Sequence, residues 1–195
     1  MAGPLPQTSS VPPPRRAPDR DGDEVRRWYE DELGWPTAPG TPPRLRLGVR
    51  FDVLDVPAQA GRAALRHLGP ASPVALRAGR MRVLVAAGSA PELPGLLDWL
   101  EWGPLAGGLD LRMLGEGAVM EAPARGALGA GAEQGAAVWL RPPGPGCEVE
   151  ASLPTVSAVG GVGGAPDLVR VLATVATECH RLRLRRVCAQ PLAFS

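Results

Sequence analysis

The feature that most constrains how this chain can fold is a long apolar stripe near its carboxyl end. Leu168, Leu172, Val175, Cys179 and Leu182 recur at spacings of four, three, four and three residues. That period places all five side chains on one face of an α-helix. Because a helix in a folded protein draws most of its stability from packing such a face, the stripe predicts a helix that covers another apolar layer.

The opposite face of this predicted helix is basic. Arg170, Arg181 and Arg185 project away from the apolar stripe, and Arg183 and Arg186 add charge near the helix end. Arginine clusters attract nucleic-acid phosphates, so Arg170, Arg181 and Arg185 are the candidate nucleic-acid-binding residues. Cations near a helix C-terminus also stabilise the helix dipole, and a solvated basic face is the commonest outcome. Both interpretations stay open.

The chain before this helix alternates short helices with extended segments. Residues 45–56 predict one strand, because Val, Leu and Phe are enriched there, and residues 57–68 predict a helix. Residues 74–77 and 81–87 flank a glycine turn and predict a β-hairpin. The remaining predicted elements are helices over residues 25–33 and 93–100 and strands over residues 109–114 and 137–141. This order predicts an α+β fold, a small mixed or antiparallel sheet with helices packed on it.

Length and charge limit the class of protein. The 195 residues carry a formal net charge of +1, which fits one globular domain and leaves no global field to attract a polyanion. Any nucleic-acid contact must therefore be local. Residues 1–22 combine prolines with Arg, Ser and Asp and hold few apolar side chains, so we expect a disordered tail there and a single domain over residues 23–195.

Targeting and redox signals are weak in this sequence. It has no apolar stretch of the roughly 18 residues that a membrane helix needs, and residues 1–16 lack the apolar core of a signal peptide. We expect a cytoplasmic protein without membrane contact. Cys147, Cys179 and Cys188 are odd in number and lack metal-ligand spacing, which argues against a disulfide framework and against a zinc site.

Carboxylates in the predicted strands are the strongest hint of chemistry. Asp52 and Asp55 lie three residues apart, and Asp110 lies in a neighbouring predicted strand. Carboxylates at strand ends hold magnesium in many nucleotidyl-transfer sites. Residues three apart on a strand project to opposite faces, however, so we favour Asp55 as the N-cap of the following helix. The alternative is a metal site formed by Asp52, Asp55 and Asp110, and only that alternative implies a cofactor, Mg²⁺ or Mn²⁺.

Two further patterns favour structural roles over chemistry. Trp99 and Trp102 follow the leucines of a predicted helix and are expected in the core rather than in a base-stacking platform. The glycine-rich residues 160–164 are similar to a phosphate-binding loop, but Asp167 places a negative charge where a phosphate would lie. We therefore expect a flexible connector at residues 160–164.

Several segments, taken in order, resemble the opening of the bifunctional DNA primase/polymerase N-terminal family, called prim-pol below. They are Glu-Leu-Gly-Trp-Pro at residues 32–36, the strand at residues 49–56, and the hairpin that ends in Arg-Met-Arg-Val-Leu-Val at residues 80–85. Residues 48–58 and 96–102 are also similar to short actinobacterial proteins grouped with that family. The resemblance covers residues 25–140 and implies a small sheet with helices packed on it.

The resemblance also carries over to individual positions. It places Asp55 on the family's first metal-binding aspartate, Pro57 on the second, and Arg82 at or near the family's hairpin histidine. Proline cannot bind a metal, and arginine stays protonated, so it cannot act as an acid, a base or a metal ligand. The resemblance thus implies the fold with a site unable to perform two-metal nucleotidyl transfer.

We therefore expect a prim-pol-like, catalytically degenerate domain that acts as a nucleic-acid-related binding or regulatory module. One alternative is an active DNA primase/polymerase-type nucleotidyltransferase that uses Asp52 and Asp55. Another is a protein–protein adaptor that uses the proline-rich tail and an exposed helix face. The expected partner is accordingly nucleic acid or another protein.

Overall fold

The structure is a computed structural model, and it describes residues 20–124, 135–144, 147–156 and 165–188. The predicted connector at residues 160–164 and most of the predicted tail lie outside these residues. The helices are α1 (Arg20–Arg27), α2 (Ala58–Ala64), α3 (Leu93–Trp99) and α4 (Leu168–Cys188). The strands are β1 (Thr37–Ala38), β2 (Arg44–Arg46), β3 (Phe51–Pro57), β4 (Val74–Arg77), β5 (Arg80–Ala86), β6 (Arg112–Leu114), β7 (Val119–Glu121) and β8 (Val138–Arg141). The predicted α+β class is confirmed.

The main sheet has five strands in the order β6-β3-β5-β4-β8, and all neighbouring strands are antiparallel. Its centre is the long pair β3 and β5, in which Asp55 lies directly across from Arg82. The predicted hairpin is confirmed as β4 and β5. Ala78 and Gly79 turn it with φ angles of 47° and 75°, the left-handed conformation that a two-residue hairpin turn needs.

A second sheet, in the order β1-β2-β7, packs against the main one. It divides the predicted strand over residues 45–56 into β2 and β3, so the prediction of a single strand is wrong. Gly48 causes the division, because its φ of +82° turns the chain. A Cβ at Gly48 would also overlap the backbone of Glu116, so only glycine fits this close approach.

One face of the main sheet is covered by helices α2 and α4. The stripe that predicts α4 lies in this core: Leu168, Leu172 and Val175 are completely buried, and Cys179 is 3% exposed. The sheet contributes side chains that alternate along β3 and β5, which are Leu54, Val56, Met81, Val83 and Val85. The prediction of a helix that covers an apolar layer is therefore confirmed.

The other face of the main sheet is covered over only part of its area. An aromatic cluster lies under the small sheet and the π-helical turn Trp28–Glu32. Its buried polar atoms are paired, because Trp139 Nε1 donates to Tyr29 Oη at 3.0 Å and the Tyr29 hydroxyl donates to the Pro123 carbonyl at 2.7 Å. Burial raises the pKa of Tyr29. The cluster covers the first half of β3, and the second half carries charged side chains.

The structure bears on the expectations about membrane contact and disulfides. None of the helices in the described ranges is long and apolar enough to cross a membrane. Cys179, which is buried, and Cys188, which is exposed, are both free thiols.

Candidate functional site

The charged half of the sheet centres on Asp55. Its side chain is only 4% exposed and lies on the sheet face opposite α2 and α4. Arg80 Nε donates to Asp55 Oδ1 at 2.5 Å, and Arg82 Nε donates to Asp55 Oδ2 at 3.3 Å. Both arginines come from β5, and register explains the pairing because Arg82 is the direct cross-strand neighbour of Asp55. Two guanidinium groups thus bind the two carboxylate oxygens.

Arg80 connects this carboxylate to a second one. Its Nη1 donates to Asp110 Oδ1 at 2.5 Å, and its Nη2 donates to the Asp55 carbonyl at 3.0 Å. Burial lowers the pKa of Arg80, but the hydrogen bonds to Asp110 and Asp55 outweigh burial, so the net pKa lies above its ordinary value. The guanidinium is therefore a fixed cation between the two carboxylates.

The predicted N-cap role of Asp55 is wrong. The N-cap position of α2 is Pro57, and no side chain caps this helix end. The reason is that β3 continues through Pro57, and Asp55 projects to the face away from α2. Its carboxylate is therefore directed to the arginines of β5 rather than to the first turn of the helix.

Asp52 lies on the other face of β3. It is 1% exposed, and its Oδ2 accepts a hydrogen bond from the Ala90 N–H at 2.7 Å. Its Oδ1 is buried without a hydrogen-bond partner among the described residues. The strand alternation that separates Asp52 from Asp55 in the sequence therefore holds in the structure.

These positions do not fit the divalent ion that the alternative function needs. Asp55 and Asp110 are held by adjacent nitrogens of one guanidinium, and Asp52 is on the opposite side of the sheet. In the part of the chain that the structure describes, no group of three or more His, Cys, Asp or Glu side chains could hold a metal ion. Arg80 occupies the space between the carboxylates that Mg²⁺ or Mn²⁺ would have to bridge.

A small cleft opens on the far side of Asp110. It has a volume of about 130 Å³ and lies between the end of α4 and the 3-10 segment Gly103–Gly108. Its lining consists of Pro57, Gly108, Asp110, Cys179, Leu182, Arg183, Arg186 and Val187. The cleft therefore combines two arginines of α4 with the carboxylate that Arg80 holds.

The Cys179 thiol in this cleft is not ionised at neutral pH. Cys179 Sγ lies 3.8 Å from the Asp110 carbonyl oxygen. Burial, and then the charge of Asp110, raise the pKa of the Cys179 thiol to about 11, although Arg80 and Arg186 act in the opposite direction. The thiol is therefore protonated and uncharged near pH 7.

The structure separates the arginines of α4 into two groups. Arg170 lies 3.5 Å from Asp167 and Arg181 lies 2.6 Å from Glu178, both as exposed ion pairs, and Arg185 is exposed. These three are the residues predicted to bind nucleic acid, and they face solvent. Arg183 and Arg186 are also exposed, and in addition they line the cleft. Such exposed ion pairs contribute little stability and can be exchanged for other anions.

The N-terminus of α4 is capped by the carboxylate of Asp167. Asp167 Oδ1 accepts hydrogen bonds from the backbone N–H groups of Val169 at 2.8 Å and Arg170 at 3.4 Å. This is an N-cap, and it occupies the position where a phosphate would bind a helix start.

The prediction that both tryptophans belong to the core is wrong for Trp99. Its side chain is 71% exposed, whereas Trp102 is half-buried with its ring centroid 5.7 Å from that of His180. The buried residue of α3 is Leu97. Trp99 is two residues further along, about 200° around the helix, so it points to solvent.

Sequence reasoning missed Arg80 and the cleft. The sequence did contain a signal for Arg80. Arg80 and Arg82 lie two residues apart on one strand, and that spacing places both cations on the same face of a sheet. No local signal identifies the cleft, because Gly108 and Arg183 are brought together only by tertiary packing.

Comparisons of this chain with protein-family models, with curated proteins and with solved structures find no match.

Proposed function

We propose that this protein is a prim-pol-like, non-catalytic module that binds nucleic acid. The observation that carries the proposal is the Arg80 guanidinium bound between the carboxylates of Asp55 and Asp110. Two-metal nucleotidyl transfer requires carboxylates that converge on exchangeable cations about 3.5 to 4 Å apart. A guanidinium supplies positive charge, but it cannot be deprotonated, coordinate a hydroxyl or be exchanged.

The other cations near Arg80 favour a binding function over a catalytic one. Arg82 is 13% exposed and lies beside Arg80, and Arg112 lies across from Asp55 on the other neighbouring strand and is exposed. The sheet face near Asp55 thus carries more cationic than anionic side chains. A second group of cations, Arg183, Arg185 and Arg186, lies at the exposed end of α4, which packs on the opposite face of the sheet. With a net charge of only +1, these local groups are what can attract phosphates.

Fluorescence anisotropy with labelled single- and double-stranded DNA and RNA tests the proposal. We expect binding at low salt that is equal in EDTA and in Mg²⁺, with a log-log salt slope of about 3, as three or four phosphate contacts require. Arg181→Glu combined with Arg185→Glu should weaken it. A matched control is the pair Arg44→Glu and Arg46→Glu, which makes the same charge change on β2, in the small sheet.

Two results would overturn the proposal. Absence of binding to all of these nucleic acids at low salt would leave the protein–protein adaptor as the better function. Incorporation of nucleotides into a primer that depends on Mg²⁺ or Mn²⁺, and that Asp55→Asn abolishes, would show an active nucleotidyltransferase.

A further inference from the structure

We infer that the cleft beside Asp110 is a site for one terminal phosphate group, bound by Arg183 and Arg186. The inference deepens the proposed function and rests on it, because the strand that carries this phosphate is the nucleic acid proposed there. Arg183 and Arg186 are one helical turn apart on α4 and line the same cleft. Neither forms an ion pair with any residue that the structure describes.

The guanidinium of Arg183 lies against Gly108. It occupies the space where a Cβ at Gly108 would lie, so the absence of a side chain at that residue lets Arg183 approach the Gly103–Gly108 segment. Contact with a neighbour reduces the rotational freedom that a guanidinium loses when it binds an anion. Gly108 is thereby a positioning residue for Arg183.

The electrostatics of the cleft favour an anion despite the carboxylate in its lining. Asp110 is bound by Arg80 at 2.5 Å, which offsets part of its charge. Cys179, which lies beside the Asp110 carbonyl, is an uncharged thiol at neutral pH. Arg183 and Arg186 are therefore the charges of the cleft that remain for a ligand.

Charge favours a phosphate at a strand end. The cleft, with a volume of about 130 Å³, admits a phosphate group, and Pro57, Leu182 and Val187 contribute apolar side chains to its lining. A phosphomonoester carries a charge of roughly −1.5 to −2 and three free oxygens, which suit two guanidinium groups that each bind two oxygens. An internal phosphodiester carries one charge and has only two free oxygens, so it offers two guanidinium groups a weaker partner.

Anisotropy with three oligonucleotides of one sequence tests the inference. One carries a 5′-phosphate, one a 3′-phosphate, and one has hydroxyl groups at both ends. We expect one phosphorylated form to bind about tenfold tighter than the hydroxyl form, as one additional charge-assisted contact implies. Arg183→Gln with Arg186→Gln should abolish this difference, while the pair Arg44→Gln and Arg46→Gln on β2, which makes the same charge change outside the cleft, should keep it.

A second variant acts without removing charge. Gly108→Ala displaces the flexible end of Arg183 and leaves the core untouched, so we expect the tenfold preference to fall while the melting temperature stays within a degree or two of the parent. The same variants are tested with inorganic phosphate, followed as a shift of the melting temperature.

The outcomes separate this inference from the proposed function. Equal binding of all three oligonucleotides overturns the terminal-phosphate site and leaves the nucleic-acid module standing. A melting-temperature rise with inorganic phosphate that Arg183→Gln removes, without binding of any oligonucleotide, supports the cleft with free phosphate as its ligand and overturns the proposed function. No response to any of the four probes overturns both.

Discussion

The two ends of β3 hold the same side chain in very different surroundings. Asp52 and Asp55 are both almost fully buried, yet Asp52 accepts one hydrogen bond from the Ala90 backbone and Asp55 is bound by two arginines. The difference follows from strand alternation, which turns Asp52 toward the loop before α3 and Asp55 toward the charged face of β5. A buried carboxylate therefore acquires its role from the partners across the sheet.

The largest loss of stability should come from removing the Asp55 carboxylate, which binds Arg80 and Arg82. Asp55→Ala leaves Arg82, whose side chain is 13% exposed, without its carboxylate, and leaves Arg80, whose side chain is 20% exposed, with Asp110 alone. We expect a loss of about 3 to 5 kcal/mol in the free energy of unfolding, the usual cost of breaking a buried ion pair from one side. Asp55→Asn keeps one acceptor oxygen and places an NH2 donor toward one of the arginines, so it should cost about 1.5 to 3 kcal/mol. Urea denaturation measures both. A loss below about 0.5 kcal/mol for Asp55→Asn would match a helix cap instead.

At the Asp52 end, the next largest effect should come from overpacking. A Cβ added at Gly115 would lie 2.6 Å from the Ala90 Cβ and 3.2 Å from Asp52 Oδ1. Gly115→Ala must therefore shift the loop whose N–H binds Asp52, and we expect it to destabilise the fold by about 1 to 3 kcal/mol. Gly117→Ala is not a suitable control, because Gly117 has a φ of +79°. Gly95→Ala, where a Cβ meets open space, should cost nothing and serves as the control.

The stability that the buried Cys179 thiol confers, on the cleft side of the charged region, should fall at alkaline pH. The Cys179 thiol has a pKa of about 11, raised from 9.0, so the unfolded chain loses this proton at a lower pH than the folded one. Stability conferred by the buried thiol is therefore full below pH 9 and is lost as pH rises toward 11. Between pH 9 and pH 10 the stability advantage of the parent over Cys179→Ala should fall by about 1 kcal/mol. A constant difference across that interval would contradict the raised pKa.

The smallest effect should come from neutralising Asp52. Asp52→Asn removes a buried charge whose Oδ1 has no partner among the described residues, and the amide oxygen can still accept from Ala90. We expect a change within about 1 kcal/mol, in either direction. Set beside Asp55→Asn, this variant measures the difference between the two ends of β3 with one identical substitution. Equal losses for the two variants would contradict the comparison.

The sequence predicts the elements of this fold better than their partners. Helix α4 and the β4–β5 hairpin follow from local periodicity and turn chemistry, and so does the opposite projection of Asp52 and Asp55. The second sheet could not be predicted, because β1 and β2 have two and three residues, too few to establish a periodicity. The ion pair of Asp55 could not be predicted from the sequence for another reason. Its register with Arg82 joins strands 27 residues apart, which no local pattern specifies.

We claim that Arg80 occupies the place of a divalent cation, and a titration with Mn²⁺ tests this. The melting temperature of the parent protein should not change in millimolar Mn²⁺. Arg80→Ala frees the Asp110 carboxylate and Oδ1 of Asp55, so Mn²⁺ should raise its melting temperature, and Asp110→Asn in that background should remove the rise. A rise in the parent that Asp55→Asn abolishes would contradict the claim, because Asp55 would then bind a metal with Arg80 still present.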